Sequence, residues 1–288
     1  MRIPSLSSFL GAVFLGAFAV SAHATLYVYD PFNQAPGALN GTASSGGDPA
    51  AVWPTENQNY TTVTGTAQVI SGSLSGNILT QGNAAQLQGG ASASIFRLFG
   101  TTLGGPGTDL WISFLITAAS GKNSQVLSLF NGPNPTGEAL AIGVNGSTRL
   151  GLSVRTGSGT TTTGNPGVNT SLAPDNGTHL IAVHLQLVAG TGNSTFSVFV
   201  DPDLSSYGTL APTGGSSGSF SGNNSLPFSF DRIRLGTFAA STTTAFDELR
   251  IADTWAEVSP AMVPEPAAAS LLTLSAGLLA RRRSRRVR

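Results

Sequence analysis

His179-Leu180-Ile181-Ala182-Val183-His184-Leu185-Gln186-Leu187 decides the fold. From Ile181 onward every second residue is a large aliphatic: Ile181, Val183, Leu185 and Leu187. A period of two places these on one face of an extended chain, with Ala182, His184 and Gln186 on the other. The stretch therefore predicts a strand packed on a core by one face. Thr195-Phe196-Ser197-Val198-Phe199-Val200 repeats the pattern, as do Asp231-Arg232-Ile233-Arg234-Leu235 and Asp247-Glu248-Leu249-Arg250-Ile251.

Working outward, strand signals recur along most of the chain and helical periodicity is scarce. The strands predicted from these runs are His179–Val188, Ser194–Asp201, Phe228–Leu235 and Ala245–Ala252, and further strands are predicted at Leu26–Tyr29, Thr66–Ile70, Ser92–Leu98, Leu110–Thr117, Gln125–Phe130, Ala139–Val144 and Leu150–Arg155. Turn formers separate them: Asn131-Gly132-Pro133, Asn145-Gly146, Asp175-Asn176-Gly177 and Gly190-Thr191-Gly192-Asn193. Hairpin turns imply antiparallel neighbours. Short antiparallel strands without helices predict an all-β sandwich or jelly roll. Two polar stretches, Gly157–Gly164 and Pro212–Ser219, read as loops outside the packed layers.

Composition bounds the function. Of 288 residues, 36 are glycine and 10% are charged, which suits many strands and tight turns. There is no cysteine, so disulfides and thiolate chemistry are excluded. The formal charge of zero hides a split. Thr25 to Ala261 carries seven basic and thirteen acidic residues, while six arginines crowd the C-terminus. An acidic body argues against nucleic acid as a partner.

Both ends read as targeting segments. Arg2, the apolar run Phe9–Val20 and Ala22-His23-Ala24 make the three parts of a secretory signal, with Ala22 and Ala24 framing the cut. At the other end Val263-Pro264-Glu265-Pro266 precedes fourteen uncharged residues, Ala267 to Ala280. Arg281, Arg282, Arg283, Arg285, Arg286 and Arg288 follow. Pro264 and Pro266 hold Glu265 extended, a form that a protease can grip. As a helix the apolar run spans roughly 21 Å, short of the ~30 Å hydrocarbon core. The arginines would stay cytoplasmic. The expected organisation is a signal helix at 1–24, a β-sandwich at 25–260 and a sorting segment with a short transmembrane helix at 261–288.

This tail closely resembles the PEP-CTERM sorting signal of Gram-negative bacteria. The resemblance rests on Pro264-Glu265-Pro266, the short apolar helix and the terminal arginines. It implies export by the general secretion machinery and a transient inner-membrane anchor. It also implies cleavage by an exosortase, release at the cell surface, and association with exopolysaccharide or biofilm. The order of strands from about Gly89 to Val258 resembles the concanavalin A-like, LamG-type jelly roll. Leu110–Leu115, Leu150–Val154, His179–Leu187, Phe196–Asp201 and Phe246–Ile251 with Trp255 carry that likeness.

Candidate chemistry is sparse. Glycosidases on such folds use same-face carboxylates, and adjacent Asp247 and Glu248 would point to opposite faces. Their plain reading is ion pairing with Arg232, Arg234 or Arg250. Asp201-Pro202-Asp203 could offer calcium two carboxylates, as LamG-like domains do at a rim, although a strand-ending turn explains it as well. No other cofactor is expected. His179 and His184 fall on opposite faces, which excludes a shared metal. Trp53 and Tyr60 sit in a polar stretch and are the best candidates for stacking on sugar rings; Tyr207 and Trp255 are weaker ones, and Trp111 reads as core. The leading expectation is a non-enzymatic exported surface protein. A lectin-like carbohydrate-binding module is the alternative, and a polysaccharide hydrolase is less favoured.

Overall fold

The computed structural model describes residues 25–40, 61–74, 80–89, 92–122, 124–132, 137–144, 148–154, 167–189, 193–207, 209–223, 228–238 and 242–259. In chain order the strands are β1 (Leu26–Asp30), β2 (Gly37–Ala38), β3 (Thr61–Thr64), β4 (Thr66–Ile70), β5 (Ala84–Gly89) and β6 (Ala93–Gly104). Next come β7 (Asp109–Thr117), β8 (Gln125–Phe130), β9 (Glu138–Val144), β10 (Leu150–Val154) and β11 (Gly167–Asn169). The last are β12 (Thr178–Gln186), β13 (Asn193–Val200), β14 (Ser216–Asn223), β15 (Ser229–Thr237) and β16 (Thr242–Ala252). One short helix, α1 (Trp255–Val258), follows β16.

The strands form an antiparallel sandwich. One sheet runs β14-β13-β12-β7-β16-β5-β4-β2, with β1 also paired to β16, and the other runs β11-β10-β9-β8-β15-β6-β3. The all-β prediction holds, and its strands match observed ones to within a few residues except β6, which runs on to Gly104. The sheet extends N-terminal of Gly89 through β1, β4 and β5, and β1 pairs with the last strand.

The core lies between the sheets. Ile181, Val183, Leu185 and Leu187 enter it with Ile112, Phe114, Leu127, Ile142, Ile233 and Phe246. Each buried large aliphatic or phenyl side chain contributes about 1.5–3 kcal/mol by leaving water. The other face of the nine-stranded sheet is not fully wet. Leu180, Ala182, Trp111 and Leu115 pack there under Trp255 and Val258 of α1. Ala182 is outward as expected yet fully buried, and Trp111 belongs to this outer layer rather than the central core. Burial on both faces explains why Asp109–Thr117 reads as an almost continuous apolar run.

One predicted loop is a strand. Ser216–Asn223 pairs with β13 over eight residues, from Val200↔Ser216 to Asn193↔Asn223. This edge strand is held by backbone pairing, by the stack of Phe220 on Phe196 at 5.3 Å, and by hydroxyl bonds of Ser216 to Ser171 and of Ser221 to Thr195. Its serines and glycines carry no apolar alternation, which is why the sequence hid it. The Gly157–Gly164 stretch lies outside the described residues.

Candidate functional site

Several sequence-predicted residues lie outside the described residues: Ala22, Ala24, Trp53, Tyr60, Val263, Pro264, Glu265, Pro266, and Arg281, Arg282, Arg283, Arg285 and Arg286. The remaining candidates are placed. Asp201 ends β13 in a positive-φ turn, φ 50°. Its carboxylate lies 2.8 Å from His179 Nδ1 and accepts the Leu180 N–H at 2.9 Å. The Asp203 carboxylate sits where a Cβ on Gly214 would fall. Asp201 is thus committed to holding β12 against β13. Among the described residues no group of three or more His, Asp or Glu is placed to hold a metal ion.

The His179 ring also meets Asp175 Oδ1 through Nε2, at 3.1 Å. Its bond to Asp201 holds the imidazole above its ordinary pKa, against the opposing effect of burial. The Gly177 N–H and His179 together keep the Asp175 carboxylate below its usual range. His184 faces away from this cluster. It stacks on Trp111 at 3.9 Å and 8° and reaches Asp109 at 2.6 Å. Trp255 is fully buried, and its indole N–H donates to the Ser206 carbonyl at 2.7 Å. Tyr207 lies edge-on to it at 5.8 Å.

Asp247 and Glu248 depart from simple alternation. A β-bulge between Asp247 and Arg250 resets the register against β7, and Glu248 takes φ 51°. Both carboxylates consequently meet the connection between β4 and β5. Asp247 Oδ2 accepts the Leu74 N–H at 2.9 Å, and Glu248 Oε1 accepts the Gln81 N–H at 2.6 Å. Burial pushes the Asp247 carboxyl up to about 8. Glu248 also pairs with Arg250 at 2.9 Å and accepts from Tyr29 at 3.2 Å. Of the expected arginine partners only Arg250 is one. Arg232 and Arg234 lie on β15, in the opposite sheet. Every described bond of the Asp247–Glu248 pair holds the fold together.

The outer face of the seven-stranded sheet is different. Alternation sends Phe96 and Leu98 of β6, Arg232 and Arg234 of β15, and Ser128 and Phe130 of β8 to this side, opposite the core residues Ile95, Ile233 and Leu127. The Arg234 guanidinium lies 4.7 Å from the ring centres of both Phe130 and Phe238 and 5.8 Å from Phe96. It pairs with Glu138 Oε1 at 2.7 Å and donates to Ser128 Oγ at 3.2 Å. Beside it, Arg232 holds Asp231 through two bonds, 2.7 and 2.9 Å, made possible by the bulge between Phe230 and Arg232. This bond keeps the Asp231 carboxyl below its ordinary range.

Phe238 completes the face. Its ring lies across Gly236, where an added Cβ would meet ring carbons at 2.6 and 2.8 Å. One side of the ring is thereby spent on Gly236 and Arg234, yet the residue remains 36% exposed. Leu98, opposite Arg232 further along the same face, is 44% exposed. The result is an exposed ring backed by Arg234 and the fully buried Phe130, on a face that carries two carboxylate–guanidinium pairs. Such pairs present both donors and acceptors to hydroxyl groups. Sequence reasoning placed Arg232 and Arg234 outward but missed Phe96, Phe130 and Phe238. The available signal was the sequence Arg234-Leu235-Gly236-Thr237-Phe238, with its gap of one side chain under a ring.

No family model matches the chain, and no curated protein matches it in sequence. Solved structures do. The lectin UEA-II complexed with galactose is 12% identical and aligns over 69% of this chain and 94% of its own, with a TM-score of 0.42. The exoplasmic/lumenal domain of VIP36 in a Ca2+/Man3GlcNAc-bound form is 10% identical over 65% and 90%, with a TM-score of 0.40. A legume lectin-like domain from Entamoeba histolytica is 10% identical over 67% and 88%, with a TM-score of 0.38. These are lectin-type, concanavalin A-like sandwiches, and the likeness is one of architecture. It carries no argument about ligands, which has to come from the side chains.

Proposed function

We propose that this chain is an exported, non-enzymatic carbohydrate-binding module of the bacterial surface. The observation that supports the binding role is the outer face around Phe238: an exposed ring held rigid from behind, with exposed Leu98 further along the same face opposite Arg232 and two ion pairs on that face. A pyranose offers an apolar C–H face to such a ring and hydroxyls to the flanking charges. Export and sorting rest on the two ends. The signal delivers the body, Pro264-Glu265-Pro266 and the terminal arginines address it to an exosortase, and the surface form loses both segments. Among the described residues no helix is long and apolar enough to cross a membrane.

A glycan array probed with the full-length chain tests the binding role. Binding is expected for the native chain and lost for Phe238→Ala. An array without a single bound glycan would leave only a structural display role. The mass of the protein recovered from the cell surface tests the sorting. Loss of residues 1–24 and of the arginine tail is expected, and an intact Arg288 would refute processing.

A further inference from the structure

We infer that the Phe238 face takes a neutral glycan chain and discriminates against acidic ones; this rests on the carbohydrate-binding reading above. Both guanidinium groups of the face already answer a carboxylate. Arg232 is matched by Asp231 and Arg234 by Glu138, two positive charges against two negative. Arg234 is further fixed between the rings of Phe130 and Phe238. A uronate or sulfate arriving here would have to displace a carboxylate from a formed pair and meet it as a like charge. It would also approach a body with seven basic and thirteen acidic residues between Thr25 and Ala261. Long-range attraction therefore does not assist an anionic polymer.

A neutral sugar meets none of these costs. Its hydroxyls can donate to Asp231 and Glu138 and accept from Arg232 while both pairs stay intact. Its C–H face covers the open side of Phe238, and a further unit of the same glycan chain reaches the Leu98 side chain opposite Arg232; both side chains are otherwise partly in water. Recognition of this kind involves no net neutralisation, so it depends little on salt.

The test uses the full-length chain in mild detergent, with immobilised neutral polymers (mannan, dextran, galactan) and acidic ones (alginate, polygalacturonate). Binding is read at low salt and at about 1 M salt, where the screening length falls to roughly 3 Å. A neutral polymer is expected to bind at least about tenfold more tightly than either acidic one, with less than about a twofold change across salt. Phe238→Leu is expected to weaken that binding about tenfold, the loss expected of a central contact residue, while Phe238→Trp keeps it. Tighter binding of the acidic polymers, with steep loss at high salt, overturns the neutral assignment and leaves the carbohydrate role standing. Binding that survives Phe238→Leu overturns the placement of the site. No binding to any polymer removes both readings. A concentration-dependent dimer that Phe238→Leu abolishes, without glycan binding, would show that a second copy covers the face.

Discussion

Arg97 of β6 and Asp30 at the end of β1 form an ion pair that joins the two sheets inside the molecule, with side chains 1% and 0% exposed. Asp30 also accepts the Phe32 N–H at 2.9 Å, where the chain turns through φ 51°. The pair therefore links the sandwich layers and fixes the exit of the first strand.

Breaking this pair leaves a buried charge without its partner. Arg97→Met alone is expected to destabilise the protein by about 3–5 kcal/mol. Adding Asp30→Asn removes the stranded charge and keeps an acceptor for Phe32. The double variant should recover more than half of the loss in urea unfolding. Equal destabilisation of single and double variants would mean that the charge itself is not the cost.

Asp247 predicts a pH dependence. Its folded pKa of about 8 lies above the ordinary carboxylate value, so the folded state binds the extra proton more tightly. The stability tied to that proton is whole below about pH 4, where both states hold it. It falls as pH rises and is gone above about pH 8. Asp247→Asn keeps an acceptor for the Leu74 N–H and cannot ionise. Unfolding free energies from urea titrations at pH 5 and pH 9 should differ by on the order of a few kcal/mol less in the variant. An unchanged difference would refute the assignment.

His179 acts in the same direction, starting from the ordinary histidine value rather than the carboxylate one. Its pKa is raised, chiefly by Asp201, so its contribution is complete below the ordinary histidine value near 6.5 and disappears as pH climbs through the raised value. His179→Gln should be less stable than the native chain at pH 6 and closer to it at pH 9. Thermal melts at the two values check this, and a gap that widens with pH would contradict it.

Glycine positions give a contrast in backbone strain. Gly143 of β9 has φ 126°, and a Cβ there would sit 2.4 Å from the Gln125 carbonyl oxygen. Gly143→Ala is expected to cost on the order of 3 kcal/mol. Gly132 has φ 82° but open space around it, so Gly132→Ala should cost about 1 kcal/mol, the conformational penalty alone. Equal costs in a denaturant series would show that the close approach at Gly143 relaxes freely.

Much of the sandwich was legible because strands with one face on a core must alternate. β4 and β8 match their predicted spans, and β12 and β13 differ by one or two residues at an end. β14 was not legible. An edge strand of serine and glycine needs only a partner's backbone, and that partner is named by the fold. The bulge at Asp247 was equally hidden, since one extra residue resets the face of every side chain beyond it. Opposite faces were expected for Asp247 and Glu248, yet both meet the same connection.

By itself the sequence determined the layering, the absence of thiol chemistry and the acidic body. These follow from local periodicity and composition, which need no knowledge of distant neighbours. Only the tertiary structure decided that Phe96, Phe130, Arg234 and Phe238 meet on one face of the seven-stranded sheet, that Arg232 and Arg234 stand apart from Asp247, and that Asp30 meets Arg97. Those contacts join β1, β6, β8 and β15 across long stretches of chain. Strand order fixes them, and strand order is set by the packing of the whole core rather than by any one segment.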